Sequence, residues 1–302
     1  MKILVTGATG FLGRSLMRQP HTTQRIGCGR QASADFGPNY LQIDLADATS
    51  MRRAVDSVRP DWVVHTAALT AVDRCETERE DARGVNLEIV SRVLEACAAF
   101  GAGLVQLSTD YVFDGRNGPY AETDATNPLS YYGQIKLESE ALVLNAEVPG
   151  IVLRTLWLYG YIPHTRPNLV TWPLAALQQG QVLNIVDDQW GNPTLVDDLA
   201  MAILDLCCQN GCGVFHMGGG TYLTRFELVV ELARFFGFRE ELVQPISTSE
   251  AGQQARRPLK SGLKTERLAA ALGRSPLGFL EGVERLATLS EFKRDFPNLR
   301  SQ

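Results

Sequence analysis

The chain has 302 residues, of which 45% are hydrophobic and 21% are charged, and its formal net charge is −5 at pH 7. This is the composition of an ordinary globular protein, and the acidic balance argues against broad binding to nucleic acid or to an anionic membrane. No apolar run approaches the roughly 20 residues that a membrane helix needs, and the first residues lack the apolar segment of a signal peptide. We therefore expect a cytoplasmic protein whose cysteines are free thiols.

The first 160 residues alternate strand-like and helix-like segments. The predicted strands are Lys2–Thr6, Arg25–Gly29, Tyr40–Ile43, Trp62–Thr66, Leu104–Ser108 and Ile151–Thr155. The predicted helices are Phe11–Met17, Ala48–Val58, Asp81–Phe100 and Leu137–Asn145. Apolar strands that alternate with helices in this way indicate βαβ units and a parallel sheet buried on both faces. The predicted fold class is therefore α/β, a Rossmann-type doubly wound parallel sheet.

The pattern becomes less regular after Gly160. Helices are predicted at Leu169–Gln178, Asp197–Cys207 and Arg225–Phe236, and a strand is predicted at Gly213–Met217. We expect residues 1–160 to form the Rossmann domain. We expect residues 161–302 to form a smaller C-terminal α/β part that binds substrate, with some of its strands returning to the Rossmann sheet.

A glycine-rich turn follows the first predicted strand and opens the first predicted helix. Its sequence is Gly7-Ala8-Thr9-Gly10-Phe11-Leu12-Gly13. Glycines at this spacing allow a tight turn and a close approach to a pyrophosphate, which the N–H groups of the helix N-terminus then bind. The strand–turn–helix context is the one that a dinucleotide site requires. We therefore predict that a nicotinamide dinucleotide contacts Gly7, Thr9, Gly10, Phe11 and Leu12.

The residues after the second and third strands bear on the choice of cofactor. No acidic residue follows Gly29 to bind a ribose 2′-hydroxyl, whereas Arg30 suits a 2′-phosphate, so NADPH is favoured and NADH is the alternative. A solvated Arg30 is the other interpretation. Asp44 and Leu45 are candidates for the adenine site, but Asp44 also suits a turn in which its carboxylate binds its own backbone. Asp47 is the better candidate for the N-cap of the next helix.

Two short motifs supply candidate catalytic residues. Tyr132 and Lys136 are spaced i and i+4, so they share one face of a helix. A nearby ammonium lowers the pKa of a phenol, which would help Tyr132 to act as an acid at neutral pH. Thr109 lies at the end of a predicted parallel strand, where open α/β sheets place their ligands. Its hydroxyl can hydrogen-bond a substrate carbonyl.

The chain resembles the extended short-chain dehydrogenases/reductases over nearly its whole length. The resemblance is carried by the glycine-rich turn, Asn86, Thr109, Tyr132 and Lys136. It implies that Tyr132 gives a proton to a carbonyl or takes one from a hydroxyl, and that Thr109 orients the carbonyl. It also implies that Lys136 lowers the pKa of Tyr132 and holds the nicotinamide ribose. The cofactor residues that it implies further are Ala67 and Ala68.

Longer stretches resemble one branch of that family, the dTDP-4-dehydrorhamnose reductases. They are Thr70–Asp73, Ser108–Gly115, Glu122–Ala125, Asp187–Thr194 and Arg257-Pro258. Trp157 supports this branch, because sugar-nucleotide epimerases and dehydratases usually have Asn at the matching position. The implied reaction is the NADPH-dependent reduction of the C4 ketone of dTDP-6-deoxy-L-lyxo-4-hexulose to dTDP-L-rhamnose.

The same resemblance implies a binding site for a nucleotide-sugar substrate. Its residues are Thr70, Val72, Asp110, Tyr111, Trp157 and Arg257. The ring of Trp157 suits the apolar face of a deoxysugar, with a role in the core as the alternative. Arg257 suits a nucleotide diphosphate because a guanidinium binds phosphate as a fork, with a surface or interdomain ion pair as the alternative.

Other features of the sequence leave two further functions open. Gln134-Ile135 stands between Tyr132 and Lys136, where Lys or Glu followed by Thr is usual in the rhamnose reductases. Gly27-Cys28-Gly29 is similar to the regulatory β subunit of methionine adenosyltransferase, which keeps the fold, the cofactor and the Tyr/Lys pair but serves as a binding partner. The alternatives are therefore an NADP(H)-binding regulatory subunit with a partner enzyme, and a reductase of another nucleotide-linked keto-sugar.

No metal site is predicted. Four potential ligands lie close in sequence, namely Cys207, Cys208, Cys212 and His216. Two neighbouring cysteines on a helix point about 100° apart, so we expect buried thiols and a strand histidine instead. In the family that the chain resembles, the helix around Val93, Leu94 and Cys97 often forms a dimer face, and we keep a homodimer as an expectation.

Overall fold

A central sheet of seven parallel strands organises the computed structural model, which describes residues 1–297 and 299. In chain order the strands of the protein are β1 (Lys2–Thr6), β2 (Gln24–Gly29), β3 (Tyr40–Gln42), β4 (Trp62–His65), β5 (Gly103–Thr109), β6 (Gly150–Thr155), β7 (Leu158–Tyr159), β8 (Leu183–Val186), β9 (Trp190–Gly191), β10 (Thr194–Leu195), β11 (Gly213–Met217), β12 (Leu223–Thr224) and β13 (Val243–Ile246). The order in the central sheet is β11-β6-β5-β4-β1-β2-β3. The predicted Rossmann-type fold is therefore confirmed.

The chain has helices over both faces of this sheet and further helices in its C-terminal part. In chain order they are α1 (Phe11–Arg18), α2 (Ala48–Val58), α3 (Val72–Thr77), α4 (Arg79–Arg83), α5 (Ile89–Phe100), α6 (Tyr131–Leu144), α7 (Thr171–Gln178), α8 (Val196–Cys208), α9 (Arg225–Phe236), α10 (Glu266–Leu272), α11 (Phe279–Thr288) and α12 (Ser290–Asp295). A π-helical turn, Gly84–Glu88, joins α4 to α5, and a 3₁₀ turn, Asp110–Val112, follows β5. No helix in the described part of the chain is both long and apolar enough to cross a bilayer.

The two faces of the sheet are buried against different helices because successive strand residues point in opposite directions. On one face Ile3 and Val5 pack with apolar side chains of α1 and α8. On the other face Leu4 and Val63 pack with apolar side chains of α2 and α5. Strands that are buried on both faces consist of consecutive apolar residues in the sequence, and this pattern predicted the sheet.

The C-terminal residues form a second apolar core and also extend the sheet. Buried side chains of α7, α9, α11 and α12 make the second core, among them Leu174, Leu228, Phe279 and Phe292. Strand β11 lies between these segments in sequence, yet it pairs with β6 at the edge of the central sheet. The C-terminal part is thereby held against the carboxyl edge of the sheet, at the ends of β5 and β6.

The start of α6 differs from its prediction. This helix begins at Tyr131, six residues before the predicted start, because the Ser130 hydroxyl accepts a hydrogen bond from the Gly133 N–H at 3.2 Å and caps it. The cap places both Tyr132 and Lys136 in the first two turns. The residues before Leu137 lack an apolar period of 3.6, so the pattern alone did not reveal this end.

The helical face around Val93 was expected to form a dimer contact. In the structure Val93 and Cys97 are fully buried in the core between α5, α2 and the sheet, and Leu94 packs partly against the same core. The apolar side chains of Val93 and Cys97 therefore cover the chain's own sheet. The homodimer itself stays a prediction.

Candidate active site

A cleft of about 550 Å³ opens at the carboxyl edge of the sheet. The predicted site residues that line it are Gly10, Phe11, Leu12, Ala68, Thr70, Thr109, Asp110, Tyr111, Tyr132, Lys136 and Trp157. These residues all come from the first 160 positions of the chain, and Arg166 adds a lining residue from the C-terminal part. The position of the cleft at the ends of β1, β4, β5 and β6 is where open α/β sheets bind their ligands.

The glycine-rich turn is folded so tightly that side chains would not fit. Gly7 has φ of +66°, and a Cβ there would lie 2.8 Å from the Ala67 backbone nitrogen. A Cβ on Gly13 would lie 2.3 Å from the Gly7 carbonyl oxygen. Helix α1 starts at Phe11, and its N-cap, Gly10, offers no side-chain hydrogen bond to the first N–H groups. These N–H groups remain available to a phosphate, so the turn fits the pyrophosphate of a dinucleotide.

Several predicted cofactor residues lie outside this cleft. Arg30 is exposed just after β2. The Asp44 carboxylate accepts a hydrogen bond from the Ala46 N–H at 3.0 Å, so it forms the turn that was the alternative interpretation. Leu45 is buried in the core beneath the sheet. Asp47 caps α2, as predicted, through the N–H groups of its first turn.

Other predicted residues lie behind the walls of the cleft. Ala67 does not line it, but its backbone is in contact with the glycine-rich turn. Thr9 accepts a hydrogen bond from Arg14 Nε through its carbonyl at 2.9 Å. Val72, at the start of α3, packs in a small apolar cluster with Tyr132.

Tyr132 and Lys136 lie on the face of α6 that packs against the sheet. Both side chains are buried, with 8% and 3% of their surface exposed. Thr109 ends β5, and its hydroxyl accepts a hydrogen bond from the Tyr111 N–H at 3.2 Å. The Tyr111 ring packs edge-on against the Tyr132 ring, with 5.8 Å between centroids. The strand end and the helix thus form one rigid wall of the cleft.

Burial dominates the acidity of the Tyr–Lys pair. Desolvation and then the Asp110 charge raise the pKa of Tyr132 above 10.0, and a hydrogen bond with Thr109 acts in the opposite direction. Desolvation lowers the pKa of Lys136 to about 8, and the Glu140 charge opposes that change. Burial therefore sets the direction of both shifts, because a buried site disfavours the charged form of both groups, and the lowering of the Tyr132 pKa by Lys136 stays a prediction.

Asp110 connects the two parts of the chain at the floor of the cleft. Its side chain is 1% exposed, and it accepts hydrogen bonds from Ser261 Oγ at 2.6 Å and from Thr109 Oγ1 at 3.1 Å. Burial raises the pKa of Asp110 to about 6, although these hydrogen bonds favour the carboxylate. Asp110 is therefore an acceptor for hydroxyl donors at neutral pH.

Trp157 forms the opposite wall of the cleft. Its φ is +45°, a conformation that bulky residues rarely adopt. The Arg225 guanidinium lies 4.3 Å from the centre of the Trp157 ring. A Cβ on Gly191 would come within 3.0 Å of the same ring, so the ring is held on this side too. Half-buried Trp157 therefore lines the cleft, and it also packs against the apolar cluster of Val112, Phe113 and Leu156.

Arg257 does not line this cleft. Its Nη2 atom donates to Asp73 Oδ2 at 2.8 Å, and its Nε donates to Gln253 at 3.3 Å. Its guanidinium carbon lies 5.8 Å from the centre of the Tyr111 ring. Arg257 thus forms the ion pair that was the alternative interpretation, with Asp73 in the first turn of α3, and its binding of a diphosphate stays a prediction.

The sequence predictions missed some of the residues that line the cleft. They are Thr66, Leu107, Ser108, Thr155, Leu156, Leu158 and Arg166. Thr66, Ser108 and Thr155 each stand at or next to the carboxyl end of a sheet strand, and that position was a usable signal. Arg166 comes from the loop between β7 and α7, and no local pattern marks it.

The four potential metal ligands of the sequence differ in their burial. Cys207 is buried, whereas Cys208 and Cys212 are exposed, which corrects the expectation that all three are buried. His216 is buried on β11, as expected. Among residues 1–297 and 299, no group of three or more His, Cys, Asp or Glu side chains is placed to bind a metal ion.

Known proteins share this architecture. The chain is 34% identical to methionine adenosyltransferase 2 subunit beta of Danio rerio over 275 residues, which cover 88% of this chain and 84% of the relative. It is 33% identical to the dTDP-4-dehydrorhamnose reductase of Sinorhizobium fredii over 298 residues, which cover 95% and 96%. The structure of the Bacillus anthracis dTDP-4-dehydrorhamnose reductase in complex with NADP superimposes with a TM-score of 0.85 at 28% identity, covering 95% and 98% of the two chains.

The family assignment does not depend on a single relative. The model of the RmlD substrate binding domain matches residues 1–291, which is nearly the whole chain. The resemblance to extended short-chain dehydrogenases/reductases is confirmed by this match together with the shared fold. The chain therefore belongs to the RmlD substrate binding domain family.

Proposed function

We propose that the protein uses NADPH to reduce the C4 ketone of dTDP-6-deoxy-L-lyxo-4-hexulose, forming dTDP-L-rhamnose. The observation that carries this proposal is the shared cleft, in which the glycine-rich turn opens beside Thr109, Tyr132 and Lys136. A cofactor and a ketone bound there would lie between a proton donor and an aromatic wall. The family relatives named dTDP-4-dehydrorhamnose reductase support the choice of substrate.

In the proposed reaction each catalytic side chain has one task. The bound cofactor supplies the hydride that becomes the hydrogen atom on C4. Tyr132 donates its phenolic proton to the carbonyl oxygen, which completes the alcohol, and its raised pKa keeps that proton in place beforehand. For this step the Thr109 hydroxyl turns from Asp110, to which it donates in the structure, and donates its hydrogen bond to the same oxygen as negative charge develops on it. The Lys136 ammonium stabilises the tyrosinate that remains and holds the ribose of the cofactor.

The cleft also has the chemistry that a nucleotide-linked deoxysugar needs. The Trp157 ring offers an apolar surface to the methyl-bearing face of the sugar. Asp110 accepts hydrogen bonds, and Thr70 and Tyr111 line the same wall. Half-buried Arg225, which lies over Trp157, brings a positive charge next to this aromatic wall.

The proposed preference for NADPH depends on charge near the adenosine end of the turn. Arg30 is exposed after β2, and no acidic side chain follows that strand directly. An arginine at this position suits a 2′-phosphate, whereas a carboxylate would repel it. The NADP complex of the Bacillus anthracis relative is consistent with this choice. NADH is the alternative cofactor.

A second candidate function is regulatory. The relative from Danio rerio is named as a subunit of methionine adenosyltransferase and covers 88% of this chain. On this proposal the cleft holds NADP(H) as a structural ligand, and a surface of the protein binds a partner enzyme. The Tyr–Lys pair does not separate the two functions, because it would bind the cofactor in either case.

One assay distinguishes these proposals. The absorbance of NADPH is followed with purified protein, with and without enzymatically prepared dTDP-6-deoxy-L-lyxo-4-hexulose, and the product is identified. Substrate-dependent oxidation that yields dTDP-L-rhamnose supports the reductase. Tight NADPH binding without oxidation, together with a stable complex with a methionine adenosyltransferase, supports the regulatory subunit. Tight binding with neither result points to another nucleotide-linked keto-sugar.

A further inference from the structure

A row of polar side chains crosses three adjacent strands behind the cleft. Ser108 on β5, Arg154 on β6 and His216 on β11 are register partners from strand to strand. Arg154 Nη1 lies 3.2 Å from His216 Nε2. Ser108 and Arg154 share a further partner, the carboxylate of Glu140 on α6. All four residues are buried, with at most 5% of their surface exposed. We call them the Glu140 cluster.

Glu140 is held from two strands at once. Arg154 donates to both of its carboxylate oxygens, from Nε to Oε1 at 2.9 Å and from Nη2 to Oε2 at 2.7 Å. Ser108 Oγ donates to Oε1 as well. A fork of this kind fixes orientation as well as distance, because two parallel N–H donors must face two oxygens. The helix α6 is thereby tied to β5 and β6 by a single side chain.

This tie lies next to the proposed catalytic residues on each element. Lys136 precedes Glu140 by one helical turn, so the two side chains share a face of α6. Ser108 directly precedes Thr109 on β5. A change in the Ser108–Glu140 contact would therefore shift the strand end that carries Thr109 relative to the helix that carries Tyr132.

We propose that Glu140 is a positioning residue, which locks the helix of Tyr132 and Lys136 against the strand of Thr109 and places a fixed negative charge one helical turn from the Lys136 ammonium. The predicted effects on kcat rest on the proposed reductase function, because they require a substrate. The position and charge of Glu140 act on Lys136 whether or not the bound ketone is the proposed one.

The charged and titratable groups around Lys136 show which of them influences its pKa. Tyr132 and Glu140 face it from α6, and His65 faces it from β4. Burial lowers the pKa of His65 to about 3, so His65 is neutral at pH 7. Tyr132 is also neutral there, because its pKa is raised. Glu140 is therefore the charge that opposes the loss of the Lys136 proton.

Lysine NMR tests the proposal without a substrate. The lysines of the chain are Lys2, Lys136, Lys260, Lys264 and Lys293, so protein labelled at lysine Cε gives few signals, and Lys136→Met assigns the relevant one. We expect Glu140→Gln to move the titration midpoint of Lys136 down by about one pH unit, because a negative charge at i+4 is lost. The matched control is Glu138→Gln on the same helix, where the exposed carboxylate pairs with Arg83.

The positioning role is tested by the rate. We expect Ser108→Ala to lower kcat by roughly tenfold and to change KM little, because a small displacement of aligned groups costs rate. We also expect the alkaline limb of the pH–rate profile of Glu140→Gln to shift down in parallel with the NMR midpoint. If Glu140→Gln does not fold, Glu140→Asp is measured instead. We then expect a lower titration midpoint of Lys136 and a lower kcat.

Two results would overturn the proposal. One is a folded Glu140→Gln protein in which Lys136 titrates as in the wild type. The other is a Ser108→Ala enzyme with the wild-type kcat. If the wild-type protein turns over no keto-sugar, the proposed reductase function fails, whereas the NMR titration still decides the role of Glu140.

Discussion

His216 offers a direct test of how this buried cluster depends on pH. Its Nδ1 lies 3.1 Å from the Tyr120 carbonyl oxygen, so Nδ1 carries the proton and donates it. Its Nε2 then accepts from the Arg154 guanidinium. A second proton on Nε2 would remove this hydrogen bond and place two positive charges together. Burial and then the Arg154 charge accordingly lower the pKa of His216 to about 3.

The sign and size of the effect follow from this value. An unfolded histidine titrates near 6.5, so between about pH 6.5 and pH 3 the unfolded chain binds one proton more than the folded chain. The contribution of His216 to stability is complete above pH 6.5 and is lost as the pH falls toward 3. The slope is about 1.4 kcal/mol per pH unit, which amounts to about 2 kcal/mol between pH 6.5 and pH 4.5.

Two other buried groups titrate in the same range. The pKa of His65 is also lowered to about 3, and it adds a slope of the same sign. The pKa of Asp110 is raised to about 6 from 3.8, so between these pH values the folded chain holds one proton more than the unfolded chain. Its contribution to the slope of unfolding free energy against pH therefore has the opposite sign. These two contributions nearly cancel between about pH 4 and pH 6. His216 therefore determines the net slope of the three groups.

The assay is urea unfolding of the wild type and of His216→Gln at several pH values between about 4.5 and 7. Glutamine can still donate to Tyr120 and accept from Arg154, but it does not titrate. We expect the variant to be less stable than the wild type near pH 7, and the difference in unfolding free energy to narrow by about 2 kcal/mol near pH 4.5. Parallel curves for the two proteins would refute the reasoning. His164→Gln at the exposed surface is the control for losing a histidine.

Three further variants test the proposed site. Tyr132→Phe should bind NADPH normally but lose roughly 10²- to 10⁴-fold in kcat because the proton donor is gone; a wild-type rate in the absorbance assay would contradict that role. Trp157→Ala should raise the KM for the keto-sugar roughly tenfold, because the aromatic surface is lost, and should leave the KM for NADPH unchanged. Equal changes in the two KM values would count against stacking of the sugar on Trp157. Gly133→Ala should unfold at a clearly lower temperature, because its Cβ would lie 2.3 Å from the Tyr111 carbonyl oxygen; an unchanged melting temperature would show that α6 can move away.

The fold and the centre of the site could be predicted because their signals are local. The glycine-rich turn follows a strand and opens a helix within a few residues, and the spacing of Tyr132 and Lys136 needs only one helical turn. Each signal comes from backbone geometry that a short segment determines by itself. The apolar strands were equally visible, because a parallel sheet buries both of their faces.

The partners of charged residues could not be predicted in the same way. Arg257 was recognised as a charge, but its partner Asp73 lies 184 positions earlier in the chain. Ser261, which donates to Asp110, is 151 positions from it. No periodicity relates residues at such separations, because the path of the C-terminal segment across the sheet brings them together. An anion-binding role and an ion-pair role therefore look the same in the sequence.

Burial also bears on the direction of the proposed reaction, which the residue types alone leave open. A Tyr–Lys pair can give a proton to a ketone or take one from an alcohol. Giving a proton requires the neutral phenol, whereas taking one requires the phenolate. In this structure desolvation favours the neutral forms of both Tyr132 and Lys136, since the pKa of the first is raised and that of the second is lowered. Near pH 7 the pair therefore starts with the phenolic proton in place, which suits reduction, and we expect oxidation of the product alcohol to require a more alkaline solution.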